Sequence, residues 1–329
     1  MKATRSLWVA GAAALALSFC QIAAHAQDAA YPNRPIKMLV GFGAGGGTDI
    51  AARIMAQKMS EILGQSIVVE NRTGASGMIA AEDEAKSAPD GYTLMMGSQT
   101  TYAVAPNLYR KVTLDAAKEF AGVAMTGASP LVLVVNRSFA AQSVKDVIAM
   151  AKADPGKINF GTGGLGTTPH MTAELFQYTA GIKMVHVAYR GEAPAINDLL
   201  AGQIPLMFAN LSAVMGNLKA GTLRALAVTG AHRSPSAPDI PTVAEAALPG
   251  FEAETWWGIV APAGTPPAIL AKLNAAARNA LADDDTKKRF ADLGMTNGGS
   301  SPEELDAYIK SEIAKWSKVI KDANIQPMD

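Results

Sequence analysis

Two glycine-rich turns carry the residues best suited to chemistry in this chain. The first, Gly41-Phe42-Gly43-Ala44-Gly45-Gly46-Gly47-Thr48-Asp49, follows the apolar run Lys37–Val40 and enters the helical pattern Ile50–Met59. A strand, glycine turn and helix in that order present backbone N–H groups without intrahelical partners at the positive end of a helix dipole, which suits an anion. The second turn, Gly161-Thr162-Gly163-Gly164-Leu165-Gly166-Thr167-Thr168-Pro169-His170, also follows a strand-like run and opens a helix, with Thr167 or Thr168 as N-cap and Pro169 near the first helical position. A tight turn needing positive φ explains one or two glycines; two turns this rich imply binding. The spacing Gly41-x-Gly43-x-x-Gly46, with Glu70 about 20 residues beyond, also imitates a dinucleotide fingerprint. A second anion-friendly helix start is not part of that fingerprint. It is what a cleft between two lobes needs to hold a ligand with two polar ends.

Other segments are weaker candidates. In Glu70-Asn71-Arg72-Thr73-Gly74-Ala75-Ser76-Gly77, Arg72 could grip a carboxylate in bidentate fashion or pin its own loop to a neighbouring acid. Tyr189-Arg190-Gly191-Glu192-Ala193-Pro194 turns from strand to helix and could line a cleft, and Gly97-Ser98-Gln99-Thr100-Thr101 offers hydroxyl donors without charge. Trp256-Trp257 could stack on a ligand or pack in the core. Catalytic patterns are missing: His170, His186 and His232 lack paired metal spacing, and neither a Gly-x-Ser-x-Gly elbow nor a phosphate-binding Gly-x-x-x-x-Gly-Lys-Ser/Thr loop occurs. Asp49, one turn into its helix, reads more readily as a capping group than as a general base. No catalytic residue, metal site or cofactor is expected.

The elements that position these turns alternate. Strand-like runs at Ile36–Val40, Ile67–Glu70, Thr93–Met96, Leu131–Val135, Ile158–Phe160, Val185–Val187, Pro205–Phe208 and Leu223–Val228 are separated by amphipathic stretches such as Ser143–Ala153, Thr168–Thr179 and Ala193–Ala201. That alternation predicts an α/β protein of mainly parallel sheets flanked by helices. The grammar of the first hundred residues recurs from about 126 to 230. The expected organisation is therefore a signal peptide at 1–26, a first lobe of 27–125 plus 231–329, and a second lobe of 126–230. Pro266–Leu281, Thr286–Leu293 and Pro302–Ala323 read as helices completing the first lobe, Pro302 sitting in a first turn after Ser301.

Lys2 and Arg5, the apolar run Leu7–Phe19 and Ala24-His25-Ala26 follow the order of a cleavable secretory signal, with cleavage expected after Ala26. The apolar run falls short of the roughly 20 residues a membrane span needs. No Arg-Arg pair marks export in a folded, cofactor-loaded state. Cys20 is the only cysteine, so the mature chain has neither a disulfide framework nor a thiolate metal site. Taking away Lys2 and Arg5 leaves 27 basic against 29 acidic residues, a balance that argues against nucleic-acid and anionic-membrane partners.

From Tyr31 onward the chain resembles the Bug-type solute-binding proteins of tripartite tricarboxylate transport systems. The carriers of the resemblance are Tyr31-Pro32-Asn33-Arg34-Pro35-Ile36, the Gly41–Asp49 turn, Gly64-Gln65, Val69-Glu70-Asn71-Arg72, and Ala88-Pro89-Asp90-Gly91-Tyr92-Thr93-Leu94. They continue through Tyr189-Arg190-Gly191, Leu223–Thr229, Asp239-Ile240-Pro241-Thr242 with Glu245, and Trp257-Gly258 before Ala261-Pro262. The resemblance implies a type II periplasmic-binding-protein fold, two lobes with the ligand cleft between them, acting as a periplasmic monomer. It implies a small organic carboxylate as ligand, delivered to the membrane subunits of a tripartite tricarboxylate-type transporter. Carried over residue by residue, the ligand site comprises Phe42, Gly43, Ala44, Gly45, Gly46, Thr48 and Asp49 on lobe one, and Gly163, Thr167, Thr168 and Asn210 on lobe two. Ser98, at the end of its strand, joins them as a hydroxyl donor.

Three positions depart from the family pattern. Gly43-Ala44 replaces a proline-containing first turn, Ala209 stands where an acidic residue is common, and Glu192 stands where a small or polar one is. These departures bear on the ligand's distal group and leave the proximal carboxylate site intact. The alternative from another class is an exported Rossmann-type NAD(P)-dependent oxidoreductase built on Gly41–Gly46 and Glu70.

Overall fold

Four of the five residues Ile36-Lys37-Met38-Leu39-Val40 are buried, as a parallel strand covered on both faces requires. The computed structural model describes residues 31–110 and 114–322, with 325 and 327; the expected signal peptide lies outside them. Strand β1 (Ile36–Val40) pairs in parallel with β2 (Ile67–Asn71) on one side and β3 (Thr93–Ser98) on the other. A 17-residue strand, β4 (Phe120–Asn136), then leads into a second set. There β5 (Asn159–Thr162) pairs in parallel with β6 (Val185–Ala188) and β7 (Leu206–Asn210). Strand β8 (Leu223–Val228) follows, and β9 (Glu254–Pro262) returns the chain to the first sheet, antiparallel to β3.

Two lobes result, joined by β4 and β9. The first part of β4, Phe120 to Pro130, lies antiparallel to β9, while Leu131 to Asn136 lies antiparallel to β7 and β8. Each sheet thus has a core of three parallel strands, extended by β9 and the first part of β4 in the first lobe and by the second part of β4 and β8 in the second. Val243, Phe251 and Ala253 pack with the apolar cluster around Leu133, Phe176 and Phe208 of the second sheet. We therefore propose lobe boundaries near Pro130–Leu131 and Ala253–Glu254, a few residues beyond the first sequence-based boundary and some twenty beyond the second.

The helices are α1 (Gly47–Leu63), α2 (Met78–Ala85), α3 (Val144–Ala153), α4 (Thr168–Ala180), α5 (Glu192–Leu200), α6 (Leu211–Lys219), α7 (Pro267–Ala282), α8 (Asp284–Asp292) and α9 (Pro302–Asp322), with shorter turns between. Their ends follow local chemistry. Gly64, left-handed at φ 69°, closes α1 by donating its N–H to the Ser60 carbonyl. Ser301 and Glu304 exchange side-chain-to-backbone hydrogen bonds ahead of α9, a capping box. The C-terminal helices complete the first lobe, α7 burying Ile269, Leu273, Ala277 and Leu281 beside β1 residues Met38 and Val40. Among the described residues no helix is long and apolar enough to cross a membrane.

Candidate functional site

Both glycine turns lie at the C-terminal ends of parallel strands, β1 and β5, and the helices they open, α1 and α4, start at a common cleft between the lobes. Ligands of open α/β sheets bind beyond the strands' carboxyl ends, where the helix starts gather. On lobe one the turn is packed backbone against backbone. A Cβ on Gly41 would lie 2.4 Å from the Gly77 Cα, so the two chains pass this closely only because Gly41 carries no side chain.

Asp49 shapes this turn from within. Its carboxylate accepts the Gly45 amide at 3.0 Å, Arg53 Nε at 2.9 Å and Asn71 Nδ2 at 2.9 Å, while Asn71 also donates to the Phe42 carbonyl. Burial opposes its ionisation, yet the bonds from Arg53, Gly45 and Asn71 together hold its pKa below the ordinary value. Thr48 is fixed from the other side, its hydroxyl accepting Trp257 Nε1 at 3.0 Å. Trp257 is therefore a buried buttress for the helix start. Trp256 points to the opposite face, where its Nε1 donates to Glu312.

On lobe two, Thr167 caps α4 by accepting the His170 amide. His170 returns the constraint: its Nδ1 accepts the Gly166 amide at 3.1 Å, and its ring stacks on His186 at a centroid distance of 4.1 Å. Burial lowers the pKa of His170 to about 3 and of His186 to about 4, so both rings are neutral at neutral pH and brace the turn without adding charge.

The lobes meet across the cleft. Thr100 Oγ1, in the π-helical turn Thr100–Val104, lies 2.8 Å from Thr168 Oγ1 and accepts the Thr168 amide. Glu192 of lobe two accepts the Gly47 amide of lobe one at 3.1 Å, and the Ser76 hydroxyl donates to the Leu165 carbonyl. The two lobes are closed on each other. What remains between them is a narrow inner cavity of about 30 Å³ and an outer one of about 410 Å³. Phe42, Gly43, Gly163, Thr167 and Gly191 border both.

The expected ligand residues separate into two groups. Phe42, Gly43, Gly46, Thr48 and Ser98 from the first lobe, and Gly163, Thr167, Thr168 and Asn210 from the second, all line the inner cavity. Ala44, Gly45 and Asp49 border neither cavity. The Asp49 carboxylate turns back into its own loop, and Gly45 supplies the left-handed corner at φ 81°. Thr255 lines the cavity and is absent from the expected set, although Trp256, Trp257, Ile259 and Val260 give β9 a strand-like composition. Arg72 lies at the surface, 3.8 Å from Glu70 and 4.0 Å from Asp83.

Glu192 is the only ionisable side chain lining the inner cavity among the described residues. Burial is the largest influence on its carboxyl and pushes its pKa up, against hydrogen bonds from Asn210 and Gly47 that favour the ionised form. Apart from it, the cavity offers neutral donors: helix-start amides and threonine and serine hydroxyls. Such a set can hold a carboxylate by charge-assisted hydrogen bonds.

The sequence matches the model of the tripartite tricarboxylate transporter family receptor over residues 51–325. It is 38% identical to protein BugT of Bordetella pertussis over 98% of each chain. Among solved structures, that of R. palustris Rpa4515 with adipate is similar at TM-score 0.88 and 38% identity, covering 91% of this chain and 100% of that one. MatC (Rpa3494) from Rhodopseudomonas palustris, with bound malate, is similar at TM-score 0.83 and 32% identity, covering 88% of this chain and 100% of that one.

Proposed function

The chain belongs to the tripartite tricarboxylate transporter receptor family, and from that membership we propose that it is an extracytoplasmic receptor. It captures a small organic carboxylate in the interlobe cleft and delivers it to the membrane subunits of a tripartite tricarboxylate-type transporter. It is exported to the periplasm by a signal peptide cleaved near Ala26 and acts there as a monomer. The observation that carries this reading is that two glycine turns, through Gly43, Gly46 and Thr48 on one lobe and Gly163, Thr167 and Thr168 on the other, border one cavity from opposite lobes. A carboxylate between them contacts both, so binding favours the closed arrangement. The adipate and malate bound by the two similar proteins support the ligand class.

Neutral donors suit transport, because they hold the anion firmly without transforming it. A thermal-shift screen of the mature protein against mono-, di- and tricarboxylates, acidic amino acids and aromatic acids, with NAD and NADP alongside, tests the reading. A carboxylate is expected to raise Tm in proportion to the logarithm of its concentration over its Kd. Stabilisation by NAD or NADP alone would replace the receptor with the dehydrogenase.

A further inference from the structure

Glu192, Asn210 and Thr255 border the inner cavity alone, whereas Gly43, Gly163 and Thr167 border the outer one as well. Glu192 is 7% exposed, and both its oxygens are occupied as acceptors. Oε1 accepts the Asn210 amide at 2.7 Å; Oε2 accepts Asn210 Nδ2 at 2.8 Å and the Gly47 amide at 3.1 Å. Gly47 N is the first amide of α1, and Asn210 N lies where β7 passes into α6. These are two helix-start donors of the kind a second ligand carboxylate would need, and the protein's own carboxylate already holds them.

The same contacts set the polarity of what is left. Because the Asn210 side-chain nitrogen points to Glu192, its Oδ1 is the free end, and that atom is buried with no hydrogen-bond partner. The Thr255 hydroxyl, also bordering the cavity, is buried and unpartnered too. A buried acceptor left unmet costs free energy, so a bound ligand is favoured when it brings a donor to it. A second carboxylate would bring only acceptors, and would set them beside Glu192.

We propose that Glu192 and Asn210 Oδ1 form a donor-recognising subsite, so that the ligand is a monocarboxylate whose far end carries an ammonium, amide or hydroxyl group, and that Glu192 excludes dicarboxylates. This rests on the reading that the ligand's carboxylate lodges on the glycine turns around Gly43, Gly163 and Thr167. Specificity then comes from an unfavourable element built against the competing ligand as well as from contacts to the right one.

The test is calorimetry with three matched series: succinate, glutarate and adipate, and the ω-amide and ω-ammonium acids of the same chain lengths. The wild-type protein is expected to bind at least one donor-tipped acid about tenfold or more tighter than the dicarboxylate of equal length. Glu192→Gln, which keeps the side chain's volume, and Glu192→Ala should flatten or reverse that order. Thermal melts establish that each variant is folded, and Glu192→Gln carries the comparison if the alanine variant is not. Dicarboxylates binding as tightly as donor-tipped acids, in an order that Glu192→Gln leaves unchanged, would overturn the subsite while leaving the carboxylate receptor standing. Failure of every acid in all three series would overturn the subsite, and failure of the wider carboxylate screen as well would overturn the receptor.

Discussion

Thr100 of the first lobe and Thr168 of the second make a double contact across the cleft, hydroxyl to hydroxyl at 2.8 Å and Thr168 amide to Thr100 Oγ1 at 2.7 Å. Since Thr100 Oγ1 accepts the amide hydrogen, its own proton is free to go to Thr168 Oγ1. Both residues are buried and both border the inner cavity, so the clasp forms only when the lobes close. Thr100→Val keeps the shape, removes both bonds and strands the Thr168 amide. The expected loss is about 1–3 kcal/mol, or roughly 5- to 150-fold weaker carboxylate binding by calorimetry. Thr100→Ser should stay close to wild type. Equal affinity in Thr100→Val would remove this clasp from the closure mechanism.

Gly46 and Gly45 are expected to respond differently to valine. Gly46 is extended at φ −83°, ψ 165°, a conformation valine adopts readily, and a Cβ there would point at Glu192 Oε2 from 3.5 Å. Gly46→Val should therefore fold with a near-normal Tm and bind no carboxylate, because the branched side chain fills the inner cavity. Gly45 sits at φ 81°, where a β-branched residue is strained by about 1–3 kcal/mol. Gly45→Val should lower Tm as well as affinity. The pair is read by melting and calorimetry together; normal binding by Gly46→Val would move the ligand elsewhere.

Glu84 is buried on α2 with neither carboxyl oxygen partnered, and burial pushes its pKa up to about 8. The folded protein keeps this carboxyl neutral, whereas the unfolded chain ionises it near its ordinary value of 4.5. Its contribution to stability is thus full below about pH 4.5 and is lost as pH rises to about 8, by up to about 1.4 kcal/mol per pH unit. Glu84→Gln removes the titration. Its Tm relative to wild type should rise steadily from pH 5 to pH 8, and a constant difference would show that Glu84 does not titrate.

The His170–His186 stack has the opposite sign. Both pKa values are depressed on folding, to about 3 and about 4, so below their ordinary 6.5 the unfolded chain binds more protons. The stabilising contribution is present above about pH 6.5 and is lost as pH falls toward 4. Because the pair braces the Gly166–Thr167 turn, carboxylate affinity should weaken over the same range. His186→Phe keeps a ring against Phe160 and His170, which now lie 4.9 and 4.1 Å from the imidazole. It is expected to flatten the acid side of the melting profile; an unaltered profile would take His186 out of the acid response.

What could be read in the sequence was local chemistry. The apolar run of β1, the Thr167 cap with Pro169 behind it, and the Ser301-Pro302 start of α9 each depend on residues within one turn of one another. The first half of β4 was not legible, and β9 was visible only as a strand end at Trp256-Trp257, without its extent or its partners. Gly122, Gly127 and Pro130 interrupt any two-residue period in β4, and its extended state comes from pairing with Glu254–Pro262, more than 120 residues away. The unseen extent of β9 hid Thr255 and left Trp257 ambiguous between ligand stacking and packing. Glu192 stood out as a departure, but a contact with Gly47 across 145 residues exists only once two lobes close.

The most direct measurement is a crystal structure of the mature protein grown with the carboxylate that binds it most tightly. The carboxylate should lie between Gly43–Thr48 and Gly163–Thr168, with oxygens within about 3.2 Å of donors from both lobes. A carboxylate held by one lobe alone, or outside the cleft, would contradict the account.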